Sequence, residues 1–141
     1  EGRALAAIIG GQIDRINALT HEAATLAEAR RPAQRAQLLE AIARVTGTAV
    51  DEDRLPQELA MPAVKSDVTE EIGRMAAHVE AARALLTQGG AVGRRFDFLI
   101  QEFMREANTL CSKSGDAGLT RVGIELKTVI DQMREQVQNV E

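Results

Sequence analysis

Apolar residues recur at three- and four-residue steps along most of this chain, a spacing that places them on one face of an α-helix. Such stripes cover residues 5–26, 68–86, 96–110 and 119–140. Helices of about 20 residues that are joined by short turns usually pack as antiparallel neighbours. The pattern therefore predicts an all-α protein, a helical bundle with long antiparallel helices.

Glycine and proline residues indicate where the helices of the first half should begin and end. The two glycines at 10–11 interrupt the first stripe and predict either close packing or a local break. Pro32 suits the first turn of a second helix, which Gly47 should end. A short third helix is predicted between the acidic residues 51–53, which favour a helix N-terminus, and Pro62.

Similar signals divide the second half into three helices. Asp67 is followed three residues later by Glu70, a spacing that predicts a capping box at a helix start. Gly89–Gly90 should end this helix, and the next should begin after Gly93. The glycines at 115 and 118 predict the turn before the last helix. Residues 64–141 are thus a helical unit, with residues 1–63 as an N-terminal helical layer for scaffold or assembly.

Composition bears on two points, the packing of the core and the compartment in which the protein functions. Hydrophobic residues make up 45% of the chain but aromatic residues only 2%, so aliphatic side chains must fill the core. The single cysteine, Cys111, excludes an internal disulfide and favours a cytoplasmic location. We expect it to be a small core residue rather than a nucleophile. No apolar run approaches the roughly 20 residues that span a bilayer, and the start at Glu1 predicts a fragment of a longer protein.

The net charge of −4 argues against a protein that coats nucleic acid non-specifically, which usually carries a basic excess. It leaves open an enzyme that acts on nucleic acid, because carboxylates that hold metal ions count as negative when the metal is absent. The placement of the charges along the helices therefore carries more information than their sum.

Polar stripes lie beside the apolar faces of the three C-terminal helices, since residues four, seven and eleven apart share one side of a helix. Packing could bring these stripes together around one site, although solvent-exposed ion pairs have the same spacing. The stripes comprise Glu71, Arg74 and His78 on the first helix, Arg95, Glu102, Glu106 and Lys113 on the second, and Glu125, Gln132 and Gln136 on the third.

Such a site would suit phosphodiester cleavage. Mg²⁺ and Mn²⁺ prefer carboxylate oxygens, and Mn²⁺ also accepts imidazole. The ion can activate water or stabilise the leaving oxygen, while arginine and lysine hold phosphates. A metal-free route also stays open, in which His78 and a glutamate act as acid and base and the RNA 2′-hydroxyl attacks.

Three ordered segments resemble the YicC-like endoribonuclease family. They are KSDVTEEIGRMAAH at 65–78, GRRFDFLIQEFMREANTLCSKS at 93–114, and IELK at 124–127 followed by MREQVQNVE at 133–141. The resemblance covers residues 64–141, and residues 1–63 are similar to the variable helical stretch that precedes them in the family. It implies the C-terminal domain of a bacterial, metal-dependent endoribonuclease that forms a ring-like homo-oligomer, with the family's N-terminal domain absent.

The positions that match the family are carried over as site candidates, and side-chain chemistry suggests their roles. The catalytic candidates are Glu71, His78, Glu102, Glu106 and Glu125, and all but Glu125 are also candidate ligands of Mn²⁺ or Mg²⁺. The candidates for contacts with RNA phosphates are Arg74, Arg94, Arg95, Arg105, Lys113 and Lys127. The other motif positions are Asp97, Gln101, Asn108, Glu135, Gln136 and Gln138.

Two alternatives to a catalytic domain follow from the same residues. In the first, the chain is a helical oligomerisation and RNA-binding module, catalysis depends on the missing N-terminal domain, and Phe98 anchors a subunit interface. In the second, it is a coiled-coil adaptor that does not contact RNA. Metal binding distinguishes a catalytic site from interface contacts, and salt-dependent RNA binding excludes the adaptor.

Overall fold

The computed structural model of the chain describes residues 2–47, 67–89 and 93–139, and these residues are helical apart from short connections. The predicted all-α helical bundle is confirmed over these ranges. The short helix predicted between residues 51 and 62 lies outside them. The helices are α1 (Gly2–Thr46), α2 (Thr69–Gln88), α3 (Gly93–Lys113) and α4 (Ala117–Gln138).

The four helices form a closed ring of neighbours. Helix α1 packs against α2 and α4, and α3 packs against the same two helices from the opposite side. The sequence positions in contact show the directions. Gly10 of α1 lies against Leu86 of α2, whereas Arg31, further along α1, binds Thr69 at the start of α2. Neighbouring helices therefore run antiparallel, as the sequence predicts.

The core between the helices is almost entirely aliphatic. Phe103 is its largest fully buried side chain, and the apolar stripes of all four helices contribute to it. Among the described helices none is long and apolar enough to cross a membrane. The largest fully buried side chains besides Phe103 are Ile13, Ile16, Leu19, Val68, Val79, Ile100, Leu119, Val122, Leu126, Ile130 and Met133.

Helix α1 corrects one of the predicted boundaries. It runs without a break through both glycines at 10–11 and through Pro32, so the prediction that Pro32 begins a second helix is wrong. A proline inside a helix costs about 3 kcal/mol. Alanine, arginine, leucine and glutamate flank Pro32 on both sides and favour the helix enough to continue it. Gly10 faces α2 without a need for glycine there, because an added Cβ would lie at an ordinary contact distance of 3.8 Å from Leu86 Cδ1.

The start of α2 differs from the predicted capping box. Asp67 Oδ1 accepts hydrogen bonds from the Thr69 backbone N–H at 3.0 Å and from the Thr69 hydroxyl at 2.5 Å. The Glu70 carboxylate instead faces Arg74 Nη1 at 3.5 Å, one helical turn ahead. The reciprocal half of the box is therefore missing, because the arginine is the stronger partner for this carboxylate. The predicted helix end is confirmed by Gly89, which has a positive φ of 68°.

The turn between α3 and α4 is bound to α1. Gly115 has a φ of 64°, and Asp116 caps α4 by accepting a hydrogen bond from the Leu119 backbone N–H at 2.8 Å. Arg30 of α1 donates to the Ser114 carbonyl oxygen and pairs with the Asp116 carboxylate at 3.0 Å. The turn thus ends at Gly115 and Asp116, and Gly118 lies already inside α4.

Helices α3 and α4 approach closely at Cys111 and Gly123, where a Cβ on Gly123 would overlap Cys111 Sγ. We expect G123A to lower the free energy of unfolding by about 1–3 kcal/mol, because overpacking outweighs the gain in helix propensity. The double variant C111A/G123A should recover most of this loss in chemical denaturation. G73A, where nothing lies within 4 Å of the added Cβ, is the control. An equal loss with and without C111A would contradict the steric explanation.

The hydrogen bonds between Asp67 and Thr69, just before the N-cap residue Val68, should make stability depend on pH. The hydrogen bonds from Thr69 lower the pKa of the Asp67 carboxyl below its ordinary value of 3.8. A lowered pKa in the folded state means that this stabilisation is present above the unfolded-state pKa and is lost as the pH falls through the folded-state value. D67A should therefore cost about 1 kcal/mol at neutral pH, and the difference from wild type should shrink below roughly pH 4. A difference that stays constant down to pH 2 would contradict this.

Candidate metal and acid–base site

One side chain of α2 and two of α3 meet at the seam between these helices. One ligand atom each of His78, Glu102 and Glu106 lies within 4.8 Å of the other two. A divalent ion with ligand bonds of about 2.1 Å holds its ligand atoms roughly 3–4 Å apart. A small adjustment of side chains would therefore let these residues, called here the three-ligand group, share one ion.

His78 offers a nitrogen that the described part of the chain does not use. Its Nε2 atom is buried and has no hydrogen-bond partner there. The ring packs edge-on against the fully buried Phe103, with ring centroids 5.8 Å apart. Since buried polar atoms are normally paired, this nitrogen is available to bind an ion or to exchange a proton.

Glu106 is buried, and its counter-ion Arg74 lies beside it with a side chain that is 49% exposed. The Glu106 side chain is 3% exposed, and its Oε1 accepts a hydrogen bond of 2.9 Å from Arg74 Nε of α2. This bond raises the pKa of the Arg74 guanidinium above its ordinary value. Arg74 contacts only Oε1 of Glu106, so the second carboxylate oxygen does not take part in this ion pair. The contact with Arg74 offsets part of the cost of burying this carboxylate.

A second buried carboxylate, Glu71, lies beside this pair on α2. It is 2% exposed, and its Oε1 binds Lys113 Nζ at 2.9 Å and approaches Arg74 Nη2 at 3.6 Å. Its Oε2 is buried and has no hydrogen-bond partner among the described residues. Glu71, Arg74, Glu106 and Lys113, called here the ion-pair cluster, therefore contain two anions and two cations.

The donor set fits a hard divalent ion. Two carboxylates and one imidazole suit Mn²⁺ better than Mg²⁺, because Mg²⁺ prefers oxygen ligands alone and keeps several waters. The unpaired nitrogen of His78 supports the fit, whereas the charge of Arg74 beside Glu106 works against it. The sequence prediction also placed Glu71 among the ligands, but in this structure it lies outside the three-ligand group and binds Lys113.

The polar stripe of α4 does not join the other two. The Glu125 carboxylate binds Arg15 of α1 at 2.9 Å and Arg121 of its own helix at 2.8 Å. The reason is the order of the helices, since α4 packs against α1 and α3 and lies diagonally across from α2. The stripes of α2 and α3 do converge, as the helical spacing suggests.

The remaining candidates lie mostly at the surface. Arg95 Nη1 donates to Gln88 Oε1 at 3.2 Å, while Lys127 and Gln136 are half-buried. Sequence reasoning missed Arg30, which binds the turn next to Lys113 and lies in a region assigned to scaffold. No local motif marks it, because its partners lie more than 80 residues away. The exposed candidates are Arg94, Arg95, Asp97, Gln101, Arg105, Asn108, Glu135 and Gln138.

Comparison with known proteins gives consistent matches. Residues 23–141 match the family model described as "Endoribonuclease YicC-like, C-terminal". The whole chain is 41% identical over 141 residues to the probable endoribonuclease YicC of Haemophilus influenzae, of which it covers 49%. It is 45% identical over 92 residues to the probable endoribonuclease YicC of Clostridioides difficile, and the match covers 65% of the chain and 31% of that protein. The chain thus spans about half the length, or less, of these relatives.

Proposed function

The chain belongs to the YicC-like endoribonuclease family, and from this premise we propose that its helical bundle carries a metal-assisted site for RNA cleavage at the seam of α2 and α3. The observation that carries the proposal is the three-ligand group, in which His78, whose Nε2 is buried and unpaired among the described residues, meets two carboxylates. The names of the relatives suggest RNA as the substrate, and the ion would be Mn²⁺ or Mg²⁺.

The burial and contacts of each residue suggest its role at this site. His78, Glu102 and Glu106 would hold the ion, which when bound activates water and stabilises charge on the phosphodiester. Glu102 is half-buried, so it is the carboxylate through which water and a phosphate reach the group. Glu106 is fixed by Arg74 and therefore anchors the position of the ion.

RNA contacts are proposed for arginines that lie outside the ion-pair cluster. Arg94 and Arg105 are exposed on α3, and Arg95 lies on the same helix beside α2. The chain has no tryptophan or tyrosine, so base stacking contributes little and recognition should rest on the backbone and shape of the RNA. Arg74 and Lys113, which sequence analysis placed with the phosphate contacts, are assigned here to the buried carboxylates.

Assembly and location complete the proposal. We expect a homo-oligomer in the cytoplasm, on the family resemblance and on the single half-buried cysteine. Phe98, which is 62% exposed on α3, is the residue that an interface between subunits would cover. Because the relatives are about twice as long as this chain, the rest of such a protein could supply RNA-binding surface, and the helical domain would then be an assembly and RNA-binding module.

The test is cleavage of a labelled RNA hairpin by the 141-residue chain and by a longer protein that includes the N-terminal region of its relatives. Cleavage should need Mn²⁺ or Mg²⁺ and stop with a chelator. E102Q should reduce the rate at least about 100-fold, because it removes a ligand of the ion without touching the ion-pair cluster. E106Q should do the same, and the double variant should be no worse than either single one.

E80Q is the matched control, since Glu80 is an exposed α2 carboxylate that pairs only with Arg83 in the described structure. Its cleavage rate should equal that of wild type, and circular dichroism should show equal helix content in all variants. Wild-type cleavage rates for E102Q and E106Q would contradict the assignment of these two glutamates as ligands of the ion. Cleavage that persists in chelator would favour the metal-free route through His78 and the 2′-hydroxyl. Cleavage by the longer protein alone would favour the assembly module.

A further inference from the structure

Glu71 has no part in the three-ligand group, yet it is the most deeply buried ionisable side chain of the described helices together with Glu106. One of its oxygens is held by Lys113, and the other has no hydrogen-bond partner there. Leaving a buried acceptor unpaired costs about 1–3 kcal/mol. A buried ion pair is often no more stable than apolar side chains of the same size. Stability of the fold therefore does not explain why a glutamate stands here.

Its position beside Arg74 gives an explanation. Arg74 reaches three carboxylates at once, with Nε on Glu106 at 2.9 Å, Nη1 on Glu70 at 3.5 Å and Nη2 near Glu71 at 3.6 Å. Glu70 is exposed, so it constrains the guanidinium only weakly. Glu71 is fixed by burial and by Lys113, the last residue of α3. Glu71 is therefore the buried and fixed carboxylate on the Nη2 side of the guanidinium whose Nε binds Glu106.

We propose that Glu71, together with Lys113, is a positioning residue for the metal site: it anchors Arg74 and so fixes Glu106 for the ion, without binding the ion itself. This inference rests on the proposed function. Its effect has two physical parts, and both have the same sign. Loss of Glu71 frees Arg74 to shift on Glu106, and it removes one negative charge from the surroundings of a divalent cation. Each change should weaken binding of the ion.

The opposite charges of Glu71 and Lys113 allow a test that separates positioning from direct ligation. E71Q leaves the cluster with one anion and two cations. E71Q/K113Q restores a neutral cluster, and the amide oxygen at position 71 can still accept a hydrogen bond from Arg74. If Glu71 acts through the cluster, the double variant should recover. If Glu71 binds the ion directly, the second substitution cannot replace the missing carboxylate.

The experiment is titration of each variant of the 141-residue chain with Mn²⁺ in the absence of RNA, with the free ion followed by electron paramagnetic resonance. We expect E71Q to weaken Mn²⁺ binding about 10-fold to 100-fold, the range typical of groups that orient a metal ligand. E71Q/K113Q should return to within about threefold of wild type, because the charges of the cluster are again balanced. E70Q is the matched control, and it should change the affinity less than about threefold because Glu70 is exposed.

The possible results separate this inference from the proposed function. Wild-type affinity in E71Q, with loss of binding in E102Q, would overturn the role of Glu71 and leave the metal site standing. A double variant as weak as E71Q would overturn the role through the neutral cluster, because it would show that the Glu71 carboxylate itself is required, as it is for a ligand. Unchanged binding in both E71Q and E102Q would overturn the proposed site and this inference with it. If E71Q fails to fold in a thermal melt, E71Q/K113Q decides alone: affinity near that of wild type supports positioning, and a loss as large as in E102Q overturns it.

Discussion

Two carboxylates, Glu71 and Glu106, are almost completely buried where α2 packs against α3, and an anion in such a place is tolerated only beside a cation. Arg74 and Lys113 supply that charge from the two sides of the seam. These contacts favour the observed register of the two helices, because sliding one past the other by a turn would separate Glu106 from Arg74 and Glu71 from Lys113. The three-ligand group lies along the same seam and shares Glu106 with the cluster. The geometry available for chemistry thus depends on this charge balance.

The rest of the bundle holds the seam in place. The aliphatic core sets the spacing of the helices, and close contacts such as Cys111 on Gly123 fix α3 against α4. Helix α1 contributes more than a covering layer, since Arg30 ties the turn after Lys113 to it. Lys113 is the residue that reaches across to Glu71. A contact made by the first helix therefore supports the residue that neutralises a carboxylate between the second and third.

Local signals in the sequence predicted local structure well. The stripes gave the helices, Gly89 and Gly115 mark real ends, and the spacing of Glu71, Arg74 and His78 placed them on one side of α2. The prediction of a helix start at Pro32 was wrong because one unfavourable residue is outweighed by its helix-forming neighbours. Partners distant in the chain could not be read from spacing. Whether the stripe of α4 joins the site depends on which helices are neighbours around the bundle, and Glu125 is bound on the α1 side.

The most direct test of a metal site at this seam is a crystal structure of the chain grown with Mn²⁺, with anomalous diffraction recorded above the manganese absorption edge. We expect one strong anomalous peak at the seam of α2 and α3, from an ion bonded to His78, Glu102 and Glu106 at about 2.2 Å, with Glu71 still held by Lys113. A peak elsewhere, or an ordered seam without any peak at saturating Mn²⁺, would contradict a metal site there.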